Sequence, residues 1–135
     1  MLLDYLTLAA IREALEERLV GARVQSVVQP SPEAIVLELY TGERQYLYVS
    51  SEPQDPAVGL LAKPLRRGVD QPTPLLLLLR KHVRGARLAA IQQSELERVL
   101  RLTFARADER VTLVCELMGR LSNLILLDEG DMIMD

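Results

Sequence analysis

The stretch Gly21-Ala22-Arg23-Val24-Gln25-Ser26-Val27-Val28-Gln29 returns 64 residues later as Gly85-Ala86-Arg87-Leu88-Ala89-Ala90-Ile91-Gln92-Gln93, with four of nine positions identical. Each copy follows a helical pattern that ends at the glycine, and each precedes further strand patterns. Coincidence could account for so short a match, but the order of one helix and three strands recurs across the chain. We therefore predict an α+β fold of two helix-plus-three-strand units, which form a β-sandwich or partial barrel flanked by two helices.

The first unit opens with a predicted helix that Thr7 caps and Gly21 ends. Apolar residues at helical spacing give this helix its buried face: Leu8, Ile11, Leu15 and Leu19. The strands predicted after it cover residues 23–29, 34–40 and 44–50. Residues 51–73 are rich in proline, which predicts a long surface loop.

The second unit repeats this order. Pro74 suits the first turn of a helix over residues 75–84, and Gly85 ends that helix. The strands predicted next cover residues 86–93, 97–105, 110–117 and 122–127. Glu129-Gly130-Asp131 then predicts a turn into a last strand that breaks off at Asp135.

Length and composition limit the class of protein. With 135 residues, 49% of them hydrophobic, the chain predicts one compact domain over residues 1–135 and excludes a disordered one. The longest leucine run, Leu75 to Leu79, is too short for a membrane span, and Asp4 argues against a secretory leader. A single cysteine, Cys115, excludes an internal disulfide and cysteine-rich zinc modules. We therefore expect a cytoplasmic protein without a membrane partner.

Basic residues are concentrated in one window of an acidic chain. The net charge is −3, yet residues 63–87 carry a net +6, with Asp70 as the only acidic residue among them. The cations of this window are Lys63, Arg66, Arg67, Arg80, Lys81, Arg84 and Arg87. A solvated helix face and loop would give the same pattern. Fourteen of the sixteen cations are arginine, whose forked guanidinium suits phosphate, so a nucleic-acid contact is the alternative.

Residues for catalysis are sparse. The single histidine, His82, lies at a predicted helix end, where a packing or helix-end role is more common than general-base catalysis. Cys115 lies in an apolar strand and is expected to be a buried small hydrophobic residue. The sequence has neither a glycine-rich phosphate loop nor carboxylates and histidines at metal-ligand spacing. We therefore expect no enzyme, no cofactor and no metal site.

Two polar motifs interrupt the apolar strands of the second unit. Glu97-Arg98 opens a strand, and adjacent strand residues point to opposite faces, so the two side chains need not pair. The second motif is Glu116-Leu117-Met118-Gly119-Arg120-Leu121-Ser122-Asn123, in which a glycine allows a tight bend and polar side chains bring donors to it. A hairpin that satisfies its own backbone would also explain this motif.

The second motif, with the apolar residues that follow it, resembles the central motif of the NFACT-N domain, which begins the fibronectin-binding-protein-A-like family of ribosome quality-control factors. Further matches occur in the same order: Asp4, Gly21 to Arg23, Gln29-Pro30, Leu79 to His82, Gly85 and Arg87. The likeness covers essentially the whole chain, whereas proteins of this family are several times longer. It implies an N-terminal domain of such a factor.

The resemblance implies a domain that contacts tRNA on an obstructed large ribosomal subunit, where the family supports C-terminal tailing of the stalled peptide. The ribosome does the chemistry, so the domain is not itself an enzyme. The acidic–Arg pair that the family needs for tailing falls on Glu97-Arg98, and its acidic residue near the start falls on Asp4. The residues that we expect to contact RNA are Asp4, Arg80, Lys81, Arg84, Arg87, Glu97, Arg98, Arg120 and Asn123.

Four positions depart from the family pattern. Glu97 replaces the usual Asp, Leu121 and Glu52 stand where His is usual, and Tyr5 follows Asp4 where Gly is usual. These departures favour one alternative, a degenerate paralogue with a structural role and no tailing activity. The older family name suggests another, a fibronectin-binding adhesion or protein-interaction module.

The NFACT-N fold is similar to the N-terminal domain of formamidopyrimidine-DNA glycosylases. Those enzymes form a Schiff base through an N-terminal Pro amine with an adjacent Glu. Leu2 and Leu3 occupy these positions here, so the resemblance implies no glycosylase activity.

Overall fold

The computed structural model of the chain describes residues 5–65, 68–94, 97–118 and 122–135. Its elements, in chain order, are α1 (Tyr5–Leu19), β1 (Arg23–Ser31), β2 (Ala34–Tyr40), β3 (Arg44–Ser50), β4 (Ala57–Leu61), α2 (Pro74–His82), β5 (Arg87–Gln93), β6 (Val99–Arg106), β7 (Glu109–Glu116) and β8 (Asn123–Leu127). The predicted α+β class is confirmed, and so is the repetition of a helix followed by strands.

All eight strands belong to one antiparallel sheet in the order β4-β3-β2-β1-β5-β6-β7-β8. Each unit forms a four-stranded meander, and the two meanders join where β1 pairs with β5. Two predictions are corrected by this topology. In the described residues the first unit has four strands rather than the predicted three, whereas the four strands predicted for the second unit are all present. The strands are hydrogen-bonded in a single sheet, so the β-sandwich alternative is wrong.

The fourth strand of the first unit lies in the segment that we predicted to be a loop. β4 pairs along its whole length with β3, from Tyr46 opposite Leu61 to Ser50 opposite Ala57. Val58 in β4 is 6% exposed and joins the core. Prolines flank these five residues without interrupting them. The proline content of the segment therefore predicted a loop where a short edge strand forms.

The other boundaries differ by a few residues. The prediction that Thr7 caps α1 is wrong, because α1 already includes Tyr5. Thr73 caps α2 by accepting a hydrogen bond from the Leu76 amide at 3.2 Å. The strand expected after residue 131 is reduced to one bridge between Leu127 and Ile133.

The two units meet around a pseudo-twofold axis. The Gly21 amide donates to the carbonyl of Leu88 at 2.8 Å, and the Gly85 amide donates to the carbonyl of Val24 at the same distance. Residues that are 64 positions apart therefore make equivalent hydrogen bonds. The β-bulges that follow, at residues 25 and 89, are also 64 positions apart. Both glycines have a positive φ, +94° and +88°, in a region that residues with a Cβ avoid. The repeat in the sequence therefore specifies the junction of the sheet.

One continuous core joins the inner faces of both meanders with α1 and α2. Phe104 is 1% exposed, and Leu37, Leu47, Leu102 and Leu113 are fully buried. Cys115 is also fully buried, as predicted for a small hydrophobic residue, and burial raises the pKa of its thiol to about 12.

Candidate nucleic-acid interface

The C-terminal end of α2 and the start of β5 carry an exposed basic surface. Lys81, Arg84 and Arg87 are exposed at this end of the sheet. Arg106 at the end of β6 holds the segment in place: its guanidinium donates to the carbonyl of Lys81 at 2.7 Å and to that of Arg84 at 2.9 Å. Arg106 thereby satisfies carbonyls that the end of the helix leaves without partners. Sequence reasoning missed this clamp, since Arg106 is 22 residues from Arg84.

Arg80 is placed differently from its three basic neighbours. It is half-buried, and its guanidinium donates to the carbonyl of Val27 in β1 at 3.5 Å. This contact ties α2 to the sheet, so less of Arg80 is available to a ligand than of Lys81 or Arg84.

Arg87 lies directly opposite Arg23 where β5 pairs with β1. Both side chains are exposed, and both line an open cleft of about 630 Å³ between the end of α1 and the β2–β3 turn. Arg18 and Tyr40 line the same cleft. Our sequence prediction included Arg87 but missed Arg23, although the repeat aligns the two arginines and could have identified it.

Glu97, Arg98 and Asn123 lie at the opposite end of the second meander. Val99, directly after Arg98, is opposite Glu116, and Glu116 is in turn opposite Asn123. Glu97 is exposed, whereas Arg98 is half-buried, with its carbonyl accepting the Leu117 amide at 2.9 Å. Arg87 lies opposite Ala105 at one end of β6, whereas Arg98 directly precedes the other end of that strand. About 20 Å of strand therefore separates Arg87 from Glu97, Arg98 and Asn123. Those predicted RNA-contact residues that the structure describes therefore form two clusters rather than one.

A polar cleft of about 310 Å³ lies between β1, the start of α2 and β8. Its lining includes Gln29, Ser51, Thr73, Ser122 and Asn123, which come from motif segments far apart in the sequence. Gln29 is 1% exposed and accepts a hydrogen bond from the Thr73 hydroxyl at 2.8 Å. The Ser122 hydroxyl oxygen is buried without a partner in the described part of the chain.

Several positions of the sequence prediction cannot be placed in this geometry. Asp4 and Arg120, both predicted to contact RNA, and Leu121 lie outside the described residues, as do Arg66 and Arg67 of the basic window. Glu52, where the family usually has His, accepts a hydrogen bond from the Gln54 amide at 3.1 Å and so stabilises its own turn. Its carboxylate is half-buried beside the polar cleft that Ser51 lines.

His82 at the end of α2 contacts an acidic side chain from the start of β7. Its Nδ1 lies 2.7 Å from a carboxylate oxygen of Glu109, and its side chain is 14% exposed. His82 thus acts as a helix-end residue in this geometry.

Within the described ranges no three His, Cys, Asp or Glu side chains are grouped as metal ligands, and no helix has the length and apolar character of a membrane span.

Solved structures of longer bacterial proteins share this fold. The chain superposes on the N-terminal domain of the fibronectin-binding protein PavA from Streptococcus pneumoniae with a TM-score of 0.91 and 28% identity, covering 98% of this chain and 52% of that one. The N-terminal part of the fibronectin/fibrinogen-binding protein of Streptococcus suis gives a TM-score of 0.92 and 27% identity, covering 99% of this chain and 52% of that one.

Curated relatives show the same similarity in sequence. The Rqc2 homolog RqcH of Streptococcus pneumoniae serotype 2 (strain D39 / NCTC 7466) is 30% identical over 136 residues, which cover 96% of this chain and 24% of that protein. The Rqc2 homolog RqcH of Bacillus subtilis (strain 168) is 30% identical over 123 residues, 87% of this chain and 21% of that protein. The chain thus spans about a quarter of these relatives. The model of NFACT N-terminal and middle domains matches residues 4–135, and the chain therefore belongs to the NFACT family.

Proposed function

We propose that this chain is an RNA-binding, non-catalytic domain of a ribosome quality-control factor, which contacts tRNA on an obstructed large ribosomal subunit and supports tailing of the stalled peptide. The observation that carries the proposal is the exposed basic surface of Lys81, Arg84 and Arg87, held on the fold by Arg106. The names of the RqcH relatives support the same function.

The physical basis is electrostatic. Lysine and arginine side chains that neutralise phosphates release condensed counterions, so the affinity falls steeply as salt rises. The surface lies where a helix end, a glycine turn and a strand are fixed by backbone hydrogen bonds, such as that from Gly85 to Val24. Because the backbone is already fixed, binding orders only the side chains of these cations and not the segment that carries them.

A second candidate function comes from the names of the solved structures, which call those proteins fibronectin- or fibrinogen-binding. The chain would then be a protein-interaction module. We consider it second because Arg87, together with Arg18 and Arg23, lines a wide polar cleft, which is a surface better suited to phosphate than to a hydrophobic protein contact.

The test is binding of a tRNA transcript and of purified large ribosomal subunits to the 135-residue chain, measured by fluorescence anisotropy and by sedimentation. We expect the variant Lys81→Gln plus Arg84→Gln to bind tRNA about tenfold more weakly and to lower the salt slope by about 1.8, since two phosphate contacts are lost. Lys63→Gln plus Arg101→Gln is the matched control, because it removes one lysine and one arginine elsewhere on the surface.

Equal losses in the two variants would contradict the proposed surface and indicate a general effect of net charge. Binding to immobilised fibronectin that is insensitive to salt, without binding to tRNA, would favour the protein-interaction module. If the wild-type chain binds tRNA and ribosomal subunits but the full-length protein does not support tailing, the chain is a paralogue that has lost tailing, as the departure at Glu97 suggests.

A further inference from the structure

Six residues on six neighbouring strands lie in one row across the sheet. Each is directly opposite the next in the strand register, from β3 through β2, β1, β5 and β6 to β7. In this order the row consists of Arg44, Tyr40, Arg23, Arg87, Ala105 and Arg110. We call it the arginine row.

The side chains of the arginine row all lie on the outer face of the sheet. Directly opposed residues of antiparallel strands share a face, and the residues before or after them, such as Val24, Leu88 and Phe104, belong to the buried inner face. Its four arginines are exposed, and Tyr40 is 49% exposed. Five steps of about 4.8 Å give a row about 24 Å long.

Folding gives no reason for this arrangement. Like charges directly opposite each other destabilise a sheet, and Arg23 and Arg87 are such a pair at its narrowest junction. Within the described residues, none of the four guanidiniums has a carboxylate at ion-pair distance. Arg23 makes one weak contact, to the Gly85 carbonyl at 3.5 Å. The four positive charges are therefore not neutralised within the described part of the chain.

Four glutamates lie near the row, two of them have other partners, and within the described residues none forms an ion pair with a row arginine. Glu109 beside Arg110 contacts His82, and Glu43 beside Arg44 accepts a hydrogen bond from Gln45 at 2.9 Å. Glu17 lines the cleft beside Arg23, and Glu38 lies two residues before Tyr40 on the same face of β2. The centre of the row thus remains open to an anion.

We propose that the arginine row is a track for the phosphates of an unpaired RNA strand, on which Tyr40 stacks a base. The proposal rests on the proposed function and names where on the chain, and in what form, RNA is held. A length of about 24 Å matches roughly seven stacked nucleotide steps of about 3.4 Å. Forked guanidiniums suit phosphate oxygens better than ammonium groups do.

Tyr40 is the reason to expect an unpaired strand. It stands between Arg44 and Arg23, each one strand away, so a base stacked on its ring keeps its phosphates within reach of both arginines. Stacking on an exposed aromatic ring requires a base face that a duplex does not offer, and it tolerates any base. A purely electrostatic duplex site would not need the tyrosine.

The test uses the 135-residue chain, a labelled unstructured 12-nucleotide RNA and a labelled RNA hairpin duplex, with anisotropy as the readout. We expect Arg23→Gln plus Arg44→Gln, which removes the two row arginines beside Tyr40 and leaves Lys81, Arg84 and Arg87 in place, to weaken binding of the unstructured RNA at least tenfold and to lower its salt slope by about 1.4. Tyr40→Leu should weaken binding of the unstructured RNA about fivefold or more and leave the duplex unchanged. Arg101→Gln plus Arg12→Gln removes the same charge away from the row and is the control.

Each outcome decides the proposal. If the row variant and the control bind alike, the arginine row is not an RNA site. If Tyr40→Leu weakens duplex and unstructured RNA equally, the base-stacking part is wrong. If only an acidic polypeptide such as poly-Glu competes and RNA does not bind, the row is a protein contact. If Lys81→Gln plus Arg84→Gln weakens RNA binding and the row variant does not, the proposed function stands and the arginine row is not the RNA site.

Discussion

Gly21 and Gly85 occupy equivalent positions in the two units of the domain: each follows a helix, has a positive φ, and donates its amide to a strand of the other unit. Leu88 and Val24 supply the two acceptors, 64 residues apart like the glycines themselves. The junction of the sheet, and with it the opposition of Arg23 and Arg87, depends on this exchange.

We expect Gly85→Ala to lower the free energy of unfolding by about 1–2 kcal/mol, because φ is +88° there. A Cβ at Gly85 would meet no atom within 4 Å, so the cost is backbone strain and not a clash. Urea denaturation measures the change. Gly59→Ala is the matched control, since Gly59 also has open space around it but no positive φ. Equal effects of the two substitutions would contradict the assigned strain.

Arg106→Ala should lower the free energy of unfolding by about 1 kcal/mol, because the exposed carbonyls of Lys81 and Arg84 lose a common charged donor. It should also weaken tRNA binding at a matched folded fraction, since the segment that carries the basic surface loosens. Arg106→Lys keeps the positive charge but removes the forked guanidinium that donates to both carbonyls. If the lysine variant binds like the wild type, charge alone explains the effect and the clamp is not needed.

Thr73→Val should be more destabilising, by about 2 kcal/mol. The substitution removes the cap that accepts the Leu76 amide and leaves the buried Oε1 of Gln29 without its donor. Thr73→Ser retains both bonds and should cost much less. Thermal unfolding followed by circular dichroism distinguishes the two, and similar losses would show that the methyl group, not the hydroxyl, matters.

Cys115 should make the domain less stable at alkaline pH. Burial raises the pKa of its thiol from 9.0 to about 12, so above pH 9 the unfolded chain loses this proton and the folded chain keeps it. The free energy of unfolding should therefore fall with rising pH between about 9 and 12, by about 1.4 kcal/mol per pH unit from this group. Cys115→Val should remove this component from unfolding measured in urea. An unchanged slope in the variant would contradict the assignment.

Arg98→Ala should weaken tRNA binding by on the order of 1–3 kcal/mol if its guanidinium contacts RNA. Melting temperature and binding per folded molecule are measured together, in the full-length protein, because Arg98 is half-buried and its loss could act through stability. Lost stability with unchanged binding would identify Arg98 as a structural residue. Glu97→Asp, which restores the residue usual in the family, tests the neighbouring position without removing its charge.

The repeated units, both helices, seven of the described strands and the burial of Cys115 could all be predicted from local patterns of residues. These follow from short-range rules, since hydrophobic periodicity and helix-ending glycines act over a few residues. The sequence also showed Arg23 and Arg87 as equivalent members of the repeat. β4 was not predicted, because its five residues form a strand by pairing with β3 and have no recognisable strand pattern of their own.

Which charged residues become neighbours depends on the tertiary structure. Arg44, Arg23, Arg87 and Arg110 are scattered over 88 positions of the sequence, and the strand register alone brings them into one row. The same register moves Arg98 and Asn123 to the far end of the strands, away from the basic surface at α2. Register depends on backbone hydrogen bonds between segments distant in sequence, and no local pattern of residues specifies those partners.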